Sequence, residues 1–217
     1  MQDLAAKFKQ MAEQVDYCPK CDYPKQYCVC WEREMESRRA VAEQRKYEIA
    51  RLGGVRAYED FMASNYTNKA VLKALSNYPS ENYYLWGKAG SGKTHAAVAT
   101  LRKVSWARVV RMGQISREIR ATDNPEDEQT LIERYSTIPM LLDDLGSEKA
   151  TEFLQNVLFE IMDRRWQAKQ GGLIITANMS IDKLGAIIGD RTASRIAGLV
   201  GAKNTIELSS ADYRLKG

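Results

Sequence analysis

Gly87, Gly92, Lys93 and Thr94 stand in the order G-x-x-x-x-G-K-[ST], inside Gly87-Lys88-Ala89-Gly90-Ser91-Gly92-Lys93-Thr94. That spacing suits one task, holding a nucleotide's phosphates. Glycines let backbone N–H groups turn inward around the β- and γ-phosphates, where a Cβ would obstruct them. Lys93 is expected to reach the β/γ oxygens and the Thr94 hydroxyl to sit on Mg²⁺. A second group is Asp143-Asp144, which closes the apolar run Ile138-Pro139-Met140-Leu141-Leu142. An apolar strand ending in two acids is the Walker B arrangement. Asp143 is expected to hold Mg²⁺ through its water shell, and Asp144 to orient or deprotonate the attacking water. Asp144 is shorter than the glutamate usual at that place, and Glu148 offers a substitute for the base.

Regular elements must position these groups. Tyr83-Tyr84-Leu85-Trp86 reads as a buried strand running into the loop, and His95 to Leu101 as the helix that the loop opens. A helix N-terminus favours an anion, so the expected ATP cradle runs from Gly87 to His95. Arg108 to Met112 is a candidate second strand. Arg111, Arg117 and Arg120, in and after it, are read either as phosphate contacts for single-stranded DNA on an edge facing a channel or as a solvated helix face. Thr151 to Lys169 is expected to be a helix burying Phe153, Val157, Leu158, Ile161 and Met162. Gly172 to Asn178 is a continuous apolar strand ending in an amide. Asn178 either hydrogen-bonds the attacking water or the γ-phosphate, or caps the strand. Asn204 to Leu208 is the last expected strand. Tyr58 and Phe61, in the lead-in to the first strand, pack in the core or beside the base.

All four cysteines fall in the first thirty residues, as Cys18-Pro19-Lys20-Cys21 and Cys28-Val29-Cys30. In a cytosolic chain that clustering points to metal before disulfide. Four thiolates make a closed tetrahedral zinc site, structural rather than catalytic. Before it, Leu4, Phe8, Met11 and Val15 form one apolar stripe of a short amphipathic helix, packed on the chain's own core or docking a partner. After it, Trp31 to about Arg51 mixes both charge signs and reads as a solvated linker helix, ended by Gly53-Gly54.

With 217 residues, 44% of them hydrophobic, the chain has room for one α/β domain and a small appendage. The expected division is 1–55 and 56–217. No apolar run is long enough to span a membrane and the N-terminus lacks a signal organisation, so a cytoplasmic protein is expected. A net charge of +4, with acids and bases interleaved, is compatible with nucleic acid but does not require it.

Together the phosphate loop, Asp143-Asp144-Leu145-Gly146, Ile174-Ile175-Thr176-Ala177-Asn178 and Tyr213-Arg214 resemble the DnaC/IstB-like branch of AAA+ ATPases over residues 56–217. That branch includes replicative-helicase loaders and helpers of insertion-sequence transposases. The resemblance implies a three-layer α/β P-loop sandwich with a mostly parallel five-stranded sheet and no C-terminal lid domain. It implies an ATPase using ATP and Mg²⁺ that self-associates on ATP. Asn178 takes the sensor-one place. Arg195, in Ser194-Arg195-Ile196, takes that of the arginine finger, with Arg191 as runner-up. Arg214 takes the sensor-two place. The cysteine-bearing N-terminus resembles loaders that grip a hexameric replicative helicase and place it on single-stranded DNA. A transposase helper and a nucleotide-gated adaptor with little hydrolysis are the alternatives.

Overall fold

The computed structural model describes residues 18–20, 30–52, 56–147 and 149–209. The stripe from Leu4 to Val15, Cys21, Cys28, Glu148 and Arg214 lie outside them. The chain divides into two units between Tyr47 and Glu48. Helix α1, Cys30–Arg51, is exposed from Glu36 to Gln44, as its mixed charge requires.

In the second unit β1 (Tyr83–Trp86), β2 (Arg108–Arg111), β3 (Met140–Leu145), β4 (Leu173–Ala177) and β5 (Thr205–Glu207) form one sheet in the order β2-β3-β4-β1-β5. Every pairing in it is parallel. Parallel sheets need cover on both faces, which is why β1, β3 and β4 read as near-continuous apolar runs. Alternation within β1 shows the two sides. Tyr83 and Leu85 point to the layer of α2 (Lys69–Ala74) and α3 (Lys93–Leu101), among Val71, Ala97 and Leu101. Tyr84 points to the opposite layer, built from α4 (Met112–Arg120), α5 (Pro125–Thr137), α6 (Glu152–Gln167), α7 (Ile181–Ile188) and α8 (Asp190–Val200). The result is a three-layer sandwich.

Helix α6 departs from expectation at one position. Phe153 is 36% exposed and Leu154 takes the core place. Thr151 caps the helix, accepting from the Leu154 amide, and the buried set Leu154, Val157, Leu158, Ile161, Met162 and Arg165 keeps helical period, leaving Phe153 out of phase. Arg165 is fully buried. It donates to the carbonyls of Tyr135 (2.9 Å), Ile138 (3.1 Å) and Gly171 (3.2 Å), joining the end of α5 to the entry of β4. Burial pulls its pKa down to about 10.

The strand order reverses beside β1. The chain leaves β1 for the far edge, returns through β3 and β4, and then crosses to β5 on the other side. Ligands bind outside the carboxyl ends of strands at such a switch point. No helix among the described residues is long and apolar enough to cross a membrane.

Candidate active site

Beyond Trp86 the backbone turns at Gly87, whose φ is +143°. A Cβ there would lie 2.2 Å from the Leu208 carbonyl oxygen, because the segment after β5 passes close by, with the Leu208 amide donating to the Trp86 carbonyl at 2.7 Å. Gly92, left-handed at φ +88°, starts α3 with no side-chain cap. The first-turn amides of α3 are therefore available to an anion in the crevice. Lys93 is buried and folds back over the loop, donating to the carbonyls of Gly87 and Lys88 at 2.8 Å each.

Asp143 is the hub of the crevice. It is 3% exposed. Its Oδ1 accepts from Thr94 Oγ1 at 2.9 Å and from Thr176 Oγ1 at 2.8 Å. Its Oδ2 accepts from the Tyr58 hydroxyl at 2.5 Å. The register of β3 against β4 shifts between Leu142 and Leu145, and Asp144 sits there at φ +56°. Such a backbone costs a non-glycine residue about 1 kcal/mol, and aspartate tolerates it better than most. The irregularity turns the Asp144 side chain out to solvent at the crevice, where Asn178 Nδ2 donates to its Oδ1 at 3.1 Å. Thr176 holds the bulge, accepting the Asp144 amide at 2.8 Å while donating to Asp143.

Residues before the sheet form the remaining wall. Tyr58, on the 3-10 turn Arg56–Asp60, stacks on Phe61 at 5.4 Å, and Phe61 stacks on His95 at 4.6 Å and 9°. His95 Nε2 lies 3.0 Å from the Met62 carbonyl and 2.9 Å from Asn65 Oδ1, both acceptors, so Nε2 carries the proton. Tyr58 is both in the core and on the crevice. Burial first, and then the Asp143 charge, push its pKa up to about 12, so the phenol stays a donor. Arg111 Nη2 donates to the Tyr58 oxygen at 2.8 Å, and its Nε lies 3.9 Å from Asp143 Oδ2. From sequence Arg111 is read, with Arg117 and Arg120, either as a contact for DNA phosphates or as part of a solvated face. Its place opposite Asp143 in the β2–β3 register turns it into the crevice instead. Arg117 and Arg120 remain exposed on α4, with Arg120 over Phe153 at 5.3 Å.

The crevice holds about 640 Å³, lined by Phe61, Tyr66, Lys93, Thr94, Asp143 and Asn178 among others. That is the size of a small-ligand site. Helix-start amides, an ammonium, a hydroxyl and a carboxylate pair in one crevice fit a nucleotide phosphate chain with Mg²⁺. Arg195 and Arg191 lie elsewhere, in a depression with Phe159, Asp190 and Ser194. Arg195 Nε donates to Asp163 Oδ1 at 2.5 Å and its guanidinium lies 4.4 Å from the Trp166 ring centroid. Arg191 lies over Phe159 at 3.9 Å. No group of three or more metal-ligating side chains converges among the described residues, of which Cys18 and Cys30 are two.

The family model described as IstB-like ATP binding protein matches residues 1–217. The chain belongs to that family. A relative from Pseudomonas aeruginosa, "Insertion sequence IS21 putative ATP-binding protein", is 23% identical over all of this chain and 85% of its own length. The uncharacterized protein YdaV of Escherichia coli K12 is 27% identical over 53% of this chain and 48% of its own. Among solved structures, the DnaC helicase loader superposes with a TM-score of 0.60 at 23% identity, over 71% of this chain and all of that one. DnaI gives 0.57 at 20%, over 71% and 94%. These likenesses show the fold, a parallel five-stranded α/β sheet covered by helices.

Three residues of the crevice were not expected to touch Asp143. Thr176 had a signal, being the single hydroxyl in the apolar run of β4. Tyr58 and Arg111 had none that singled out Asp143, since both reach it only through the tertiary fold.

Proposed function

We propose that this protein is a Mg²⁺-dependent ATPase that loads a replicative helicase. The observation that carries the ATPase reading is the convergence on one crevice of Lys93, Thr94, Asp143, Asp144 and Asn178 from the loop, β3 and β4. In this reading Lys93 and the amides of the loop bind the β- and γ-phosphates, and Thr94 and Asp143 hold Mg²⁺. Asp144 activates the attacking water and Asn178 positions it. The finger is Arg195 of a neighbouring copy, with Arg214 acting in cis, so ATP drives self-association and turnover depends on it. Residues 1–55 form a zinc-binding, partner-gripping domain held by Cys18, Cys21, Cys28 and Cys30, and 56–217 the motor. Arg117 and Arg120, exposed on α4, offer phosphate contacts to single-stranded DNA.

The loader reading is supported by the cysteine cluster ahead of the core. A second reading, a helper of a DNA transposase, is supported by the likeness of the whole chain to the IS21 protein. Affinity capture with the full chain in ATP and Mg²⁺, against ADP, separates the two. Retention of purified replicative helicase by the ATP form supports the loader. Retention of transposase and no helicase replaces it with the helper.

A further inference from the structure

Of the groups on Asp143, two are foreign to the phosphate loop and its strands. Tyr58 comes from the segment before the sheet, and Arg111 from the end of β2. The Tyr58 oxygen donates to Asp143 Oδ2 at 2.5 Å and accepts from Arg111 Nη2 at 2.8 Å. The three groups form a relay from carboxylate through phenol to guanidinium. A carboxylate this buried must have its charge balanced nearby. Lys93 turns its ammonium to the carbonyls of Gly87 and Lys88. Among the described residues, Arg111 supplies the cationic nitrogen that lies within 4 Å of Asp143, at 3.9 Å. Its side chain is 54% exposed, so it can swing away without disturbing the core.

We propose that Tyr58 and Arg111 are a charge place-holder on Asp143, occupying Oδ2 and balancing its charge until a divalent cation and nucleotide arrive, and so opposing that arrival. Tyr58 is a positioning residue. It anchors the guanidinium and fills the acceptor that a metal-bound water would use. Arg111 repels a cation brought to the same carboxylate. Nucleotide phosphates attract Arg111, so the relay opens when they enter. Metal-free resting state and nucleotide entry are thereby linked through one side chain. The inference rests on the nucleotide-site reading above.

The test measures the affinity of a fluorescent ADP analogue in saturating Mg²⁺ and in chelator, and takes the ratio. ADP is used because it has no γ-phosphate for an arginine to grip. Loss of attraction between Arg111 and the phosphates lowers both affinities alike and leaves the ratio alone. Arg111→Gln is expected to raise the ratio about three- to tenfold, the scale of one unit charge a few ångströms away in a wet crevice. Tyr58→Phe keeps the ring on Phe61 and is expected to raise the ratio in the same direction. The double variant should gain no more than the larger single effect, since both act through one relay. A ratio unchanged or lowered in either single variant, while the parent chain binds ADP, overturns the place-holder. Failure of the parent chain to bind ADP at all overturns the nucleotide reading and the place-holder with it.

Discussion

Asn178 Nδ2 donates to Asp144 Oδ1 at 3.1 Å, joining the carboxyl ends of β4 and β3 across the mouth of the crevice. The contact exists because Asp144 adopts φ +56° at a register shift, which its neighbour Thr176 pins from below. In the proposed reaction Asp144 is the base, and a base must be aimed as well as basic. Asp144→Asn keeps a residue at ease in the left-handed region and removes the basic oxygen. Phosphate release should fall about 10²- to 10⁴-fold with nucleotide affinity preserved. Asn178→Ala should fall less, again without loss of binding. Phosphate release and equilibrium binding on the same preparations check both, and wild-type turnover by Asp144→Asn would remove it from the reaction.

Lys93 donates to the Gly87 and Lys88 carbonyls, which the proposed phosphate role has it exchange for phosphate oxygens. Lys93→Ala should weaken ATP binding by about 10- to 100-fold, the worth of one charge-assisted contact in a buried site. Calorimetric titration with ATP and Mg²⁺ reads this directly.

Arg195 is held by Asp163 and Trp166 on the surface of α8, away from its own chain's crevice. If it acts in a neighbour, turnover per chain must rise with protein concentration. Arg195→Ala should abolish that rise and lower saturated turnover about 10³-fold, with ATP binding intact. Equal turnover by this variant and the parent at high concentration transfers the role to Arg191, which lies over Phe159 in the same depression.

Arg165 closes three carbonyls with one guanidinium inside the fold. Arg165→Leu fits the apolar surroundings but orphans those acceptors. A loss of about 2–4 kcal/mol in unfolding free energy is expected, the sum of several imperfectly relieved hydrogen-bond losses. Denaturant midpoints measure it, and a neutral result would mean that water replaces the guanidinium.

The proposed zinc site predicts one Zn²⁺ per chain by native mass spectrometry. Thiolates must be deprotonated to bind, so the metal should be retained at neutral pH and lost as the solution is acidified, or on adding a strong chelator. Cys30→Ser should weaken retention. A metal-free chain at neutral pH, purified without chelator, would remove zinc from the reading.

What could be read from sequence is what local chemistry enforces. A glycine-lysine-threonine loop between an apolar strand and a helix former permits few other conformations. Apolar runs ending in acids or an amide mark strands whose tips must meet solvent at a ligand edge. The five strands and the loop, Asp143, Asp144 and Asn178 were legible for that reason. Residue 153 was misjudged because a helix's buried face depends on where its cap sets the phase. Neither reading of Arg111 pointed to Asp143, because only the sheet order puts the two residues opposite each other. Tyr58 shows the same limit over a separation of 85 residues. Residue types and their local spacing mark the groups suited to phosphate chemistry. The tertiary structure decided which of them share one carboxylate, because hydrogen bonds and charge act over a few ångströms of space and take no account of distance along the chain.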